Sequence, residues 1–185
     1  DKETFDNNPM EFYLVCTDVK TGEPVYKKID EANDECYEWI CASASMPIVS
    51  NVVNVGGYSL LDGGISDSIP LKYFENIGYD KNLVILTQPK GYIKKKVSAF
   101  PLMKFALRKY PAIIKAMKRR HEMYNDTTKY ITERQNSGDA FVICPDAPLE
   151  ISRAENNPEK LLEVYNLGRK KAEQELEKIK KFFVE

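Results

Sequence analysis

The chain has 185 residues, 43% of them hydrophobic, which suffices for one domain with a sizeable core and is not obviously enough for two, so one compact unit is expected. Its 27 basic and 28 acidic residues leave a net charge of −1, so no global field speaks for a nucleic-acid partner or an acidic tail. No apolar run approaches the roughly 20 residues that span a bilayer, and Asp1-Lys2-Glu3 has none of the character of a signal peptide.

Phe12 to Cys16 is a short continuous apolar run, the pattern of a strand buried on both faces of a parallel sheet. Thr21-Gly22-Glu23-Pro24 predicts a turn, and Val25 to Ile29 a second, more peripheral strand. Asp30 reads as the N-cap of a helix running to about Ser45, stopped by Pro47, with Cys36, Ile40, Ser43 and Ala44 on one face. Val52 to Val55 and Tyr58 to Leu61 flank Gly56-Gly57, a two-residue hairpin signal because both glycines accept positive φ. Past Ile69-Pro70 a short helix to Ile77 is expected, ended by Gly78, and Leu83 to Leu86 reads as another doubly buried strand. From Ala99 to about Gln135 the periodicity is helical, with Pro101 near the start and Pro111 dividing it into two helices. Phe141 to Pro145 supplies a last buried strand. Asn157-Pro158 then gives an N-cap and first-turn proline to a closing helix with Leu161, Tyr165, Gly168, Ala172, Leu176, Ile179 and Phe183 along one side. Buried strands alternating with helices predict an α/β fold with a mainly parallel sheet flanked by helices on both faces.

Asp62-Gly63-Gly64 follows an apolar strand directly, and such strand ends gather ligand sites in open α/β sheets. A carboxylate there can face a cleft, and the two glycines keep side chains out of its way. By itself the tripeptide also makes ordinary turns. Its surroundings add weight: Thr17 to Tyr26, then Ala42-Ser43-Ala44-Ser45-Met46-Pro47, then Tyr58 to Pro70 resemble, in order and spacing, three consecutive blocks of the patatin-like phospholipase family. The resemblance is strongest from Phe12 to Gln88, and the last strand and the Gly168-bearing helix look like the C-terminal portion of the same family.

In that family a serine in a Gly-x-Ser-x-Gly elbow attacks an acyl ester, and the Asp-Gly-Gly aspartate serves as its base without a histidine. The resemblance therefore implies a patatin-like three-layer α/β/α fold, a Ser-Asp dyad with Asp62 as catalytic base, Gly63 and Gly64 shaping the substrate site, a lipid or acyl-ester substrate, and neither cofactor nor metal. One departure is decisive. Gly57-Tyr58-Ser59-Leu60-Leu61 begins like an elbow but lacks its closing glycine and lies in the hairpin. The oxyanion loop is missing as well. The expectation is that both elements lie upstream of Asp1 and that 1–185 is the C-terminal, N-terminally truncated part of a single patatin-like domain, inactive by itself. The alternative is a non-catalytic lipid-binding or interaction module that keeps the fold.

His121, the single histidine, lies in Lys118-Arg119-Arg120-His121-Glu122 and reads as part of a solvated helix face. From Lys90 to Arg120 the chain carries eleven Lys and Arg residues and no acid, interleaved with Phe100, Leu102, Met103, Phe105, Leu107, Tyr110, Ile113, Ile114 and Met117. That pattern suits either peripheral contact with an anionic membrane or an ordinary amphipathic face packed on a core. Cys16, Cys36, Cys41 and Cys144 form no Cys-x-x-Cys pair and read as buried free thiols of a reducing compartment, so a cytoplasmic location is expected. A sheet lacking its upstream strands would end in an exposed edge and invite self-association.

Overall fold

The computed structural model describes residues 1–96, 100–152 and 155–184, the side chains of residues 100–102 excepted. In chain order these residues form α1 (Lys2–Asp6), β1 (Phe12–Asp18), β2 (Pro24–Ile29), α2 (Asp34–Ser43), β3 (Val53–Val55), β4 (Tyr58–Asp62), a 3₁₀ turn (Gly63–Ile65), α3 (Leu71–Asn76), β5 (Asn82–Ile85), α4 (Phe100–Ala106), α5 (Pro111–Ser137), β6 (Ala140–Ile143) and α6 (Pro158–Val184). They divide into two compact units, Asp1–Pro70 with Lys94–Thr127, and Leu71–Ile93 with Thr128–Glu185.

The first unit is built on a four-stranded sheet of order β2-β1-β4-β3, and every pairing in it is antiparallel. The mainly parallel sheet expected from the sequence is therefore not what these strands form. For two of the three pairings connection length is the reason: β1 to β2 and β3 to β4 are joined by short turns, and parallel neighbours need a crossover of about a dozen residues or more. The continuous apolar run of β1 is buried only towards its end: Phe12 is exposed, Tyr13 to Val15 are half-buried and Cys16 is buried, and burial on both faces does not in any case require parallel strands. On one face Cys16 and Leu60 pack with Cys36, Trp39 and Ala42 of α2. On the other, Leu61 and Ile65 pack with Met103 of α4, with Leu107, and with Ile113 and Met117 of α5. Adjacent residues of β4 thus serve opposite cores, as the alternation of a strand requires. Leu60 and Leu61 are 0% and 1% exposed, and burying each contributes about 2 kcal/mol.

The hairpin forms as expected, with Gly56 and Gly57 at φ 58° and 80°. Gly56 is needed for space too, since a Cβ there would stand 2.8 Å from the Trp39 ring. α2 starts later than expected: its N-cap is Asn33, whose Oδ1 accepts from Cys36 N–H at 2.9 Å. Asp6 at the end of α1, a helix not anticipated from the sequence, accepts the Ala32 N–H at 2.8 Å and holds the preceding segment out of helical conformation. The buried face of α2 is Cys36, Trp39 and Ala42, while Ile40 is exposed.

In the second unit β5 and β6 form a two-stranded parallel sheet in the register Asn82↔Ala140 to Ile85↔Ile143. β5 is not doubly buried, for only Val84 lies inside, and Leu83 and Ile85 are exposed. Glu75 of α3 accepts from Tyr130 Oη at 2.5 Å and from Arg134 Nε at 2.7 Å, tying α3 to the end of α5. Gly78 ends α3 at φ 100°. Asn157 caps α6 through its Oδ1 to the Glu159 N–H at 2.9 Å, as expected. The packed side of α6 is Val164, Lys171, Glu175, Ile179 and Phe182, whereas Leu161, Tyr165, Leu176 and Phe183 of the anticipated face are exposed. The apolar stripe is wider than the contact surface, so the helix docks on one edge of it.

Candidate active site

Asp62 ends β4 directly opposite Cys16 of β1, between the two apolar clusters. Its backbone is fixed from both sides. The N–H donates to the Ser45 carbonyl at 2.9 Å, and the carbonyl accepts from Thr17 Oγ1 at 2.8 Å. Thr17 is fully buried, and since its one proton goes to Asp62, the 2.8 Å contact to Ser66 Oγ has Ser66 as donor. The side chain of Asp62 caps the 3₁₀ turn, Oδ1 accepting from Gly64 N–H at 2.6 Å. Among the described residues, no hydrogen bond reaches Oδ2, and the residue is half-buried.

Space, rather than positive φ, explains both glycines. A Cβ on Gly63 would stand 2.2 Å from the Val15 carbonyl oxygen, so the loop lies against the backbone of β1 as only glycine allows. A Cβ on Gly64 would stand 3.0 Å from Asp62 Oδ1 and 3.4 Å from Arg120 Nη2. The Gly64 carbonyl accepts from Arg120 Nε at 2.6 Å and from Ser68 Oγ at 2.9 Å.

No serine hydroxyl among the described residues is bonded to the Asp62 carboxylate. Ser43 donates to the Val15 carbonyl, Ser45 to that of Cys41, Ser59 to Asn54 Oδ1, Ser66 to Thr17 and Ser68 to Gly64. Cys16 is no substitute nucleophile: burial, with the Asp62 charge adding to it, pushes its thiol up to about 12, so it stays neutral. Cys36 is buried likewise, but Cys41 is exposed and Cys144 half-buried, against the expectation of four buried thiols. His121 is more covered than a solvated face would leave it, its side chain 13% exposed, and its Nε2 lies 3.7 Å from Glu122 Oε1.

Residues 7–75 match the patatin-like phospholipase family. That family acts on lipid substrates, so the resemblance read from Thr17 to Pro70 is found by comparison as well; the patatin-like segment contains every Asp62 contact described above, while Arg120, which donates to Gly64, lies outside it. Residues 110–184 match a domain family of unknown function, DUF6363, so α6 and its Gly168 fall in this second match. No curated protein matches the chain.

Sequence reasoning placed Asp62, Gly63 and Gly64 together, and the structure brings them into one loop. It passed over Thr17 as a buried tether and Arg120 as anything but surface charge. The signal for Arg120 was present in its spacing: Ile113, Met117 and Arg120 recur at i, i+4 and i+7, which puts the arginine on the packed side of α5.

Proposed function

We propose that this chain supplies the general base, Asp62, of a patatin-like serine acyl hydrolase that cleaves acyl esters of lipids. The observation that carries the reading is a half-buried carboxylate at a strand end, inside the patatin-like segment, held on one oxygen by Gly64 N–H. In this reading Asp62 takes the proton of a serine as its Oγ attacks the ester carbonyl, and the alcohol leaves with that proton. Water then attacks the acyl-serine, Asp62 takes the water proton, and the serine oxygen recovers it as the acid departs. Gly63 and Gly64 shape the substrate side, and the serine comes from outside these 185 residues, in a three-layer α/β/α domain of which 1–185 is the C-terminal part. No cofactor or metal enters the steps.

An apolar substrate agrees with the loop that follows Ser45, the residue holding the Asp62 N–H. There Met46, Ile48 and Val49 are exposed, and Ile48 sits at φ 76°, an unfavourable conformation for a β-branched residue. A cytoplasmic protein touching an anionic membrane through Lys90 to Arg120 fits the same reading. The apolar share of that surface is smaller than the sequence implied. Met103, Leu107, Ile113 and Met117 are core residues, Phe100 and Leu102 lie outside the described side chains, and Ile93 and Phe105 are left exposed at 65% and 66%. Among the described residues no helix is long and apolar enough to cross a membrane.

The second reading, a non-catalytic lipid-binding module, is favoured by the engagement of every nearby serine with other groups. Labelling of the native protein with a fluorophosphonate, followed by peptide mapping, separates the two. Modification of a serine outside residues 1–185, lost in Asp62→Asn, is the expected result. Labelling that persists unchanged in Asp62→Asn refutes the base assignment, and absence of labelling with retained vesicle binding establishes the second reading.

A further inference from the structure

Gly64 poses a mechanical problem. Its missing side chain makes room for the Asp62 carboxylate, yet glycine is the residue whose backbone wanders most. Whatever fixes its φ and ψ also fixes the N–H that holds Asp62 Oδ1. We infer that Arg120 is the positioning residue of the Asp62 loop: α5, which lies in the DUF6363 match, anchors the site of the patatin-like segment. The inference rests on Asp62 being the base.

Three observations carry it. Arg120 Nε donates to the Gly64 carbonyl at 2.6 Å, a charge-assisted bond of the stronger kind, while Gly64 N–H donates to Asp62 at 2.6 Å, so Gly64 is pinned at both ends. The helix that carries Arg120 is itself fixed, because Ile113 and Met117 on the same side of α5 pack with Leu61 and Ile65, which bracket the loop in sequence. The start of α5 is pressed equally close to the sheet, for a Cβ on Gly22 in the β1–β2 turn would meet the Ala112 carbonyl at 2.8 Å. Finally, the guanidinium and the carboxylate flank one small space, 3.4 and 3.0 Å from where a Gly64 Cβ would be. Ser68 Oγ bonds the same carbonyl at 2.9 Å, but a neutral hydroxyl on the loop itself cannot tie that loop to the helix layer.

The test is amide hydrogen exchange of the ¹⁵N-labelled chain in Arg120→Met, Arg120→Lys and, as a charge-matched control, Arg119→Gln. Arg120→Met should speed exchange at Gly64 by about 10-fold or more while Ile113 and Met117 keep their protection, because a local opening is read at the affected amide alone. Arg120→Lys should restore part of it, and Arg119→Gln should leave Gly64 as it was. In the intact enzyme, Arg120→Met should lower kcat by about 100-fold with KM unchanged, the mark of a misplaced catalytic group. Unchanged Gly64 exchange in Arg120→Met overturns the anchor, and so does a loss confined to KM. Should Arg120→Met not fold, exchange at Gly64 in Arg120→Lys equal to wild type overturns it too. Full turnover in Asp62→Asn beside a loosened Gly64 overturns the base assignment instead, with Arg120 still the anchor of the loop.

Discussion

Alanine at Gly63 and alanine at Gly64 should fail in different ways, because the neighbours that each new methyl meets are different in kind. At Gly63 the Cβ would stand 2.2 Å from the Val15 oxygen and 2.5 Å from its carbonyl carbon, both backbone atoms of a central strand. An ordinary carbon to carbonyl-oxygen approach is about 3.3 Å or more, so loop and strand must part by roughly 1 Å. Overpacking of this type costs about 1–3 kcal/mol, and with backbone on both sides the upper end is expected. For a chain of this length about 3 kcal/mol lowers Tm by roughly 6–12 °C. At Gly64 the Cβ would meet the ends of the Asp62 and Arg120 side chains, with Ser68 Oγ at an ordinary 3.6 Å, and side-chain ends can swing aside at a cost of about 1 kcal/mol. Swinging Asp62 aside, however, removes the proposed base from its place. Fluorescence of Trp39, the single tryptophan and 2% exposed in the core beside β1, reports unfolding of the unit concerned. Gly63→Ala should melt early, whereas Gly64→Ala should melt near wild type and lose turnover. If Gly63→Ala melts within about 2 °C of wild type, the close approach to Val15 is not what demands glycine there.

Three further outcomes follow from individual groups. The Cys16 thiol, pushed up to about 12 from an ordinary value of 9.0, contributes stability that is complete below about pH 9 and is lost as pH rises towards 12. Alkaline unfolding followed at Trp39 should be flatter over that window in Cys16→Ala, and Cys41 should be the first thiol to react with a disulfide reagent. Reversal of the exposed Lys95 and Lys96 to glutamate should weaken sedimentation with anionic vesicles, and added salt should weaken it in the wild type. Lys94 is the poorer target because its Nζ lies 4.1 Å from the centroid of the Tyr124 ring. Unchanged sedimentation assigns the cations to plain solvation. Ile85, 70% exposed on a two-stranded sheet, should promote strand pairing between copies, so Ile85→Lys should lower the weight-average mass in light scattering at high concentration.

Local signals were the legible ones. The Gly56-Gly57 hairpin, the Asn157 cap, Gly78 and the break at Pro111 depend on φ preferences and on donors a few residues away, and all formed as read. Sheet polarity was misread, because a continuous apolar run carries nothing about strand direction, and burial of the runs was overread too, with Phe12, Leu83 and Ile85 exposed. The start of α2 was misplaced by a long-range bond, Ala32 N–H to Asp6, that no local pattern encodes. The side of α6 that packs was misjudged for a related reason: its apolar residues exceed what one contact can cover, and Lys171 and Glu175 contribute their stems to the packed side. At the site, the Asp62 loop was visible as a motif. Arg120 was hidden in a basic run, where a cation bound to a loop carbonyl looks the same in sequence as one bound to water.

The proposed assignment of Asp62 as base stands or falls on a comparison with Asp67 in the intact protein. Asp62→Asn keeps the carbonyl oxygen that can accept from Gly64 N–H, so the 3₁₀ turn and its tethers to Ser45 and Thr17 should persist. What it removes is the basic lone pair of the second oxygen. Loss of a general base costs about 10²- to 10⁴-fold in rate, and the proposed dyad without histidine would have no second base, so the upper end is expected. Asp67→Asn makes the same charge change five residues along, where Oδ2 accepts from Tyr26 Oη at 2.7 Å and Oδ1 from Ile69 N–H at 3.2 Å. Those are structural bonds that an amide oxygen can in part retain, so turnover should change little. Ester hydrolysis by both variants, at matched Trp39 unfolding midpoints, decides the matter. Equal turnover in the two would mean that the Asp-Gly-Gly loop of this chain is a turn holding two layers together, and that its likeness to a lipid hydrolase is one of fold.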